Sequence, residues 1–187
     1  MKHLLGVVLI LVVISLNLLA KDGVPFVLSK PFDELRVYYK DWLVVCNDRG
    51  AGTCRMVNYV YRPENHERQS FFPDSRLSIT PAQEAQEAVL DFYDRGAPSE
   101  ITELSVSVDR DRFAFDSADY QTPEQNRIME TYLVTNPNKL TQVIDLSKPA
   151  RWLTIKYTGS SGESHTVRFS LMGFTKALAF IERQRVK

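Results

Sequence analysis

Two cysteines, the only ones in the chain, limit the possible folds more than any other feature. Asp41-Trp42-Leu43-Val44-Val45-Cys46 reads as a strand, residues 47–53 as a glycine-containing loop, and residues 54–61 as a returning strand rich in β-branched and aromatic side chains. A cysteine stands on each shoulder of that loop. A structural zinc takes four ligands with short C-x2-C spacings, and a thioredoxin-like site takes C-x-x-C. The present spacing fits neither, and the chain has only three histidines, His3, His66 and His165. Cys46 and Cys54 are therefore read as a disulfide that closes a hairpin, with no metal site and no cofactor. Closing so short a loop contributes about 2–3 kcal/mol by chain entropy. It also fixes register, because a slip of one residue would exchange the two faces of the strand. Trp42, Val44 and Cys46 alternate with Leu43 and Val45, so both faces are apolar. The strand is expected to be central, with Trp42 in the core.

A disulfide needs an oxidising compartment, and the N-terminus indicates one. Met1-Lys2-His3 is basic, residues 4–16 are almost wholly apolar, and Ala20-Lys21-Asp22 returns to polar sequence. This is the pattern of a secretory signal peptide, residues 1–20, with cleavage after Ala20. The apolar run is shorter than a membrane-spanning helix requires. Leu18 stands where cleavage prefers a small residue, so retention of the leader as an N-terminal anchor stays open. No cysteine follows the run, which excludes a lipoprotein anchor. The expected location is periplasmic or secreted. Lys plus Arg and Asp plus Glu both number 23, and the leader carries only Lys2 among them. Near-neutrality without a basic run argues against nucleic acid as a partner. Contact with a membrane is expected only through an uncleaved leader.

Behind a loop at residues 21–31, residues 32–187 are expected to form a single mainly β domain. Residues 32–39 read as a lead-in strand and 76–80 as a short alternating one. Thr80-Pro81-Ala82-Gln83 carries the signature of a capped helix start, continuing to Glu87. Residues 89–93 lean to strand. Residues 101–108 give the clearest alternation, with Leu104, Val106 and Val108 against Ser105 and Ser107. Asp109-Arg110-Asp111-Arg112 then reads as a solvated hairpin tip before a return through Phe113. Thr122-Pro123-Glu124-Gln125 repeats the cap, but no wider similarity makes it an internal repeat. Residues 132–134 read as strand, and Asn136-Pro137 opens a helix whose buried stripe is Leu140, Val143 and Ile144. Residues 152–157 and 165–171 form a hairpin around a Gly/Ser loop. Leu171, Phe174, Leu178 and Ile181 mark a final amphipathic helix. The expected architecture is an antiparallel β-sandwich or open barrel with a C-terminal helix packed on the sheet and one or two short inserted helices.

The Asp-Trp-x-Val-x-Cys strand (Asp41, Trp42, Val44, Cys46) with its second cysteine, Cys54, is followed near the C-terminus by Ser170-Leu171-Met172-Gly173-Phe174-Thr175-Lys176-Ala177-Leu178. Together these resemble the invasion-associated locus B family of extracytoplasmic bacterial proteins. They are also similar to uncharacterised secreted bacterial proteins that begin with a Trp/Cys strand and end in a Gly-x-x-x-Ala-Leu helix. The resemblance implies a mostly β extracytoplasmic domain and a role in host-cell entry. It brings no catalytic residues. Members commonly carry a second cysteine pair in the later half, which this chain lacks.

No G-x-S-x-G elbow or H-E-x-x-H motif occurs, and a cystine leaves no free thiol nucleophile. His66 and His165 read as surface residues. The expectation is a non-enzymatic envelope-interaction module with a protein partner in the envelope or on a host surface. Tyr61, Phe71 and Phe72 are the candidate contact residues. A small-ligand or glycan binder, or an inhibitor of a cell-wall lytic enzyme, is the alternative; eight Tyr and two Trp permit an aromatic-lined pocket.

Overall fold

The computed structural model describes residues 22–62, 72–82, 86–98, 100–122 and 131–184. The leader and its expected cut, His66, Phe71, Gln83 of the first cap and the second cap from Pro123 onward lie outside the described residues.

Strand β3 (Trp42–Cys46) is buried along its whole length, as its two apolar faces require. It pairs with β2 (Glu34–Tyr39) on one side and β4 (Cys54–Val60) on the other. Beyond them the chain runs as an antiparallel meander. Strand β1 (Phe26–Leu28) precedes β2, and β5 (Ser75–Thr80) and β6 (Val89–Asp94) follow β4. Strands β10 (Tyr132–Val134) and β9 (Tyr120–Gln121) complete an eight-stranded sheet in the order β1-β2-β3-β4-β5-β6-β10-β9. The stretch expected as N-terminal loop thus contributes an edge strand.

The second sheet is four-stranded, in the order β12-β11-β7-β8. Its members are β7 (Ile101–Val108), β8 (Asp111–Phe115), β11 (Trp152–Gly159) and β12 (Ser164–Ser170). All the strand pairs are antiparallel. The result is mainly β, two packed sheets without a closed barrel.

One apolar cluster joins both sheets and the helices. Phe92 of β6 meets Tyr157 and Phe169 of the second sheet, with ring centroids 5.8 and 6.2 Å apart. Helix α1 (Pro137–Ser147) is capped by Asn136, whose side chain accepts from the Lys139 amide, and it buries Leu140 and Val143. Ile144 packs against the core from a half-buried position. Helix α2 (Phe174–Gln184) lies over β2, β3 and β4, placing Phe174 edge-on to Trp42 at 5.2 Å and Phe180 6.1 Å from Tyr39. The four-stranded sheet and α2 therefore share the cover of one face of the larger sheet.

One local expectation needs correction. Thr80 does not cap a helix; it ends β5, paired with Val89 of β6. Pro81 and Ala82 are irregular, Gln86 forms an isolated bridge, and Glu87 is irregular again. The strand ladder claims Thr80 before its hydroxyl can act as a cap, and Pro81, with no N–H to donate, stops that ladder.

Candidate functional site

The cystine forms as expected. Cys46 and Cys54 are directly opposed on β3 and β4, and their Sγ atoms are bonded. The loop they close contains a 3-10 turn (Asp48–Gly50) and docks onto the chain before β2. There Arg49 donates its amide to the Asp33 carbonyl at 2.8 Å and its Nε to the Asp33 carboxylate at 2.7 Å. Both sulfur-bearing residues are buried, so the cystine is a structural clip.

The surface feature with chemical variety lies at the other end of the same hairpin. The β3–β4 ladder reaches only to Leu43 opposite Val57, whereas the β4–β5 ladder continues to Val60 opposite Ser75. The last residues of β4 thus overrun β3, and the edge strand β12 approaches beside them. Two buried donors pin it there. Trp42 Nε1 and Asn58 Nδ2 both donate to the Ser170 carbonyl, at 3.0 and 2.9 Å. This leaves a cleft of about 350 Å3. Asn58, Tyr59, Val60 and Tyr61 line it from the β4 side, Trp152, Arg168 and Ser170 from the second sheet, and Asp41 from the turn before β3.

Two aromatic side chains meet water at this cleft, Tyr61 and Trp152; Tyr59 lines it from β4 but sits opposite Arg76, with its phenol among the arginines of the outer face of the larger sheet. Burial holds the Tyr59 phenol above its ordinary pKa, opposed by the charges of Arg76, Arg36 and Arg55. Trp152 and Arg168 are diagonal neighbours on β11 and β12, and the guanidinium lies 4.0 Å from the ring centroid. The backbone at Trp152 is fixed from the β7–β8 turn. Asp109 accepts from the Trp152 and Arg151 amides, at 3.1 and 3.3 Å, and donates its own amide to the Trp152 carbonyl at 3.0 Å. Asp109, expected only as part of a solvated tip, therefore positions the start of β11.

Of the candidate contact residues, Tyr61 lines the cleft and is exposed. Phe72 is 74% exposed but is not among the lining residues; its carbonyl accepts from Arg95. Phe71 lies outside the described residues. Sequence reasoning missed Trp152, Arg168 and Asp41 as a group. Its one available signal was a tryptophan opening a hairpin strand with an arginine outward on the return strand. Their convergence with Tyr61 depends on β12 crossing β4, which no local pattern encodes.

Away from the cleft, a polar network ties the sheets. The buried Asp94 carboxylate accepts from Arg62 at 2.8 Å, Ser75 Oγ at 2.9 Å and the Tyr157 hydroxyl at 2.6 Å. Burial, followed by the hydrogen bond to Asp94, moves the Tyr157 phenol well above its usual range. Tyr132, whose hydroxyl donates to the Pro98 carbonyl, is pushed up to about 12, mainly by burial. His165 stacks on Tyr157 with centroids 4.8 Å apart and is half-buried rather than fully at the surface. Among the described residues, no group of three or more His, Cys, Asp or Glu is placed to hold a metal ion, and no helix is long and apolar enough to cross a membrane.

The architecture defines a cystine-clipped antiparallel β-sandwich with an open aromatic cleft beside its clipped hairpin. Among solved structures, invasion associated protein B from Bartonella henselae has a similar fold. The TM-score is 0.58, with 11% identity, over 81% of this chain and 99% of that one. At this identity the likeness concerns the fold. No family model and no curated protein matches the chain. The cystine is consistent with an extracytoplasmic protein.

Proposed function

We propose that the protein is a non-enzymatic extracytoplasmic binding module whose contact surface is the cleft between β4 and β12. The observation that carries this reading is the grouping of exposed Tyr61 and Trp152 with Arg168 in one concavity. Tyr, Trp and Arg are the side chains most enriched where protein partners bind tightly. The cleft is framed by ladders and buried hydrogen bonds, so its aromatic groups are largely held before a partner arrives, which lowers the entropic cost of binding. Arg168 covers one face of Trp152, which disfavours stacking of a sugar ring there and ranks a protein partner ahead of a glycan. The protein of similar fold is known as invasion associated, and a host-cell surface is accordingly one setting for such contact.

A photo-crosslinking side chain at position 61 tests this in cells, with position 112 on β8 as the control. A discrete adduct at 61 that is absent at 112, and that Arg168→Glu weakens, is the expected result. Indistinguishable adduct patterns at the two positions would remove the cleft from consideration.

A further inference from the structure

Two charges in the cleft have no counter-charge among the described residues. Arg168 lies over the Trp152 ring and forms no ion pair among them. The Asp41 carboxylate is likewise unpaired among them, although its backbone amide is held by the Met172 carbonyl at 3.3 Å. Both residues line the same cavity, yet they do not pair with each other. This contrasts with the outer face of the larger sheet, where Arg36 pairs with Glu34 at 2.6 Å and Arg76 with Asp91 at 2.9 Å. A cleft with one unpaired acid, one unpaired base and aromatic rings around them is complementary to a ligand of the same description. Charge complementarity of this kind sets selectivity and encounter rate more than raw affinity.

The geometry points to an extended peptide segment of a protein partner as the occupant, presenting one basic side chain to Asp41 and one acidic side chain to Arg168. This deepens the binding-module reading and rests on it. In an extended peptide, side chains two residues apart share a face at roughly 6.5–7 Å. That spacing suits two charges lying farther apart than an ion pair within a cavity of about 350 Å3. Tyr61 and Trp152 supply aromatic surface for the stems of those side chains.

The probes are three blocked tripeptides, Lys-Ala-Glu, Lys-Ala-Lys and Glu-Ala-Glu, titrated into the protein while the Trp152 indole signal is followed by NMR. Lys-Ala-Glu is expected to bind about threefold or more tighter than either like-charged peptide, the range for a partly exposed ion pair. Asp41→Asn is expected to abolish its advantage over Glu-Ala-Glu, and Arg168→Gln its advantage over Lys-Ala-Lys. Equal binding of all three peptides, or preferences that survive both substitutions, would overturn the proposal. No binding by any of them, with the position-61 adduct retained, would sink the mixed-charge ligand and leave the binding module standing. Loss of both signals would remove both readings.

Discussion

Among the described glycines, Gly173 leaves the least room for a side chain. Its φ is +93°, and a Cβ there would come within 1.9 Å of the Tyr39 carbonyl oxygen. Its own carbonyl accepts the first helical hydrogen bond of α2, from the Ala177 amide at 3.0 Å. Any side chain would push α2 away from the β2–β3 turn. Gly173→Ala is expected to cost about 3 kcal/mol or more, combining left-handed strain with a backbone clash; a melting temperature within a degree of wild type would contradict this. Asp94 is sensitive for an electrostatic reason. Its carboxylate serves three donors while almost fully buried. Asp94→Ala strands the Tyr157 hydroxyl and removes the partner of a partly exposed Arg62, at about 2–4 kcal/mol. Tyr157→Phe leaves Asp94 its Arg62 and Ser75 partners and should cost about 1–2 kcal/mol. Denaturant titration of both variants checks the ordering, and a larger loss for Tyr157→Phe would refute it.

At the scale of elements, α1 has a pH-dependent anchor. Asp119 accepts from Asn136 Nδ2 at 2.7 Å and from Lys139 Nζ at 2.7 Å, tying β9 to the first turn of the helix. These bonds hold the Asp119 carboxyl at about 2, below its ordinary 3.8. A lowered folded-state pKa adds stability that is complete above the unfolded value and is lost as pH falls toward the folded one. The contribution is about 2 kcal/mol at most, present above pH ~5 and gone near pH ~2. Asp119→Asn should therefore trail wild type at neutral pH and converge with it in acid; a gap that stays constant from neutral to acid would rule out this linkage. The cystine hairpin is the element most legible in the sequence. Its strands, register and bond follow from the apolar run of β3 and the flanking cysteines. Cys46→Ser is expected to lower stability by about 2–4 kcal/mol, and a wild-type melting curve unmoved by reductant would disprove that role. The helix start at Thr80 was legible in the wrong sense, because a capping pattern is local whereas pairing with Val89 is not. The Gly173–Ala177–Leu178 pattern marked the C-terminal helix correctly, but the reason for the glycine, contact with the Tyr39 carbonyl, appears only in three dimensions.

For the whole molecule, the question is whether two sheets of unequal size behave as one cooperative unit. The eight-stranded sheet cannot bury its inner face alone, and its cover comes from two later parts of the chain, the four-stranded sheet and α2. Ser170 and Leu171 connect those parts. The Ser170 carbonyl receives Trp42 and Asn58 of the larger sheet, and Leu171 is buried immediately before α2 begins. Asp94 and Tyr157 provide a second tie, and the Phe92 cluster a third, so detaching either cover exposes apolar surface and orphans buried polar groups together. Neither sheet then has an intermediate in which its own contacts survive intact. Unfolding is expected as a single transition, with the same midpoint by circular dichroism and by the fluorescence of the two tryptophans, one in the core and one at the cleft. Trp152 sits in the second sheet and Trp42 in the first, so selective Trp152→Phe and Trp42→Phe variants assign the optical signal sheet by sheet. Midpoints that coincide after correction for each variant's own stability establish coupling across the interface. A Trp152 signal that changes at lower denaturant than the Trp42 signal would mean that the four-stranded sheet separates first, and that the cleft lies on a surface able to open before the rest of the fold yields.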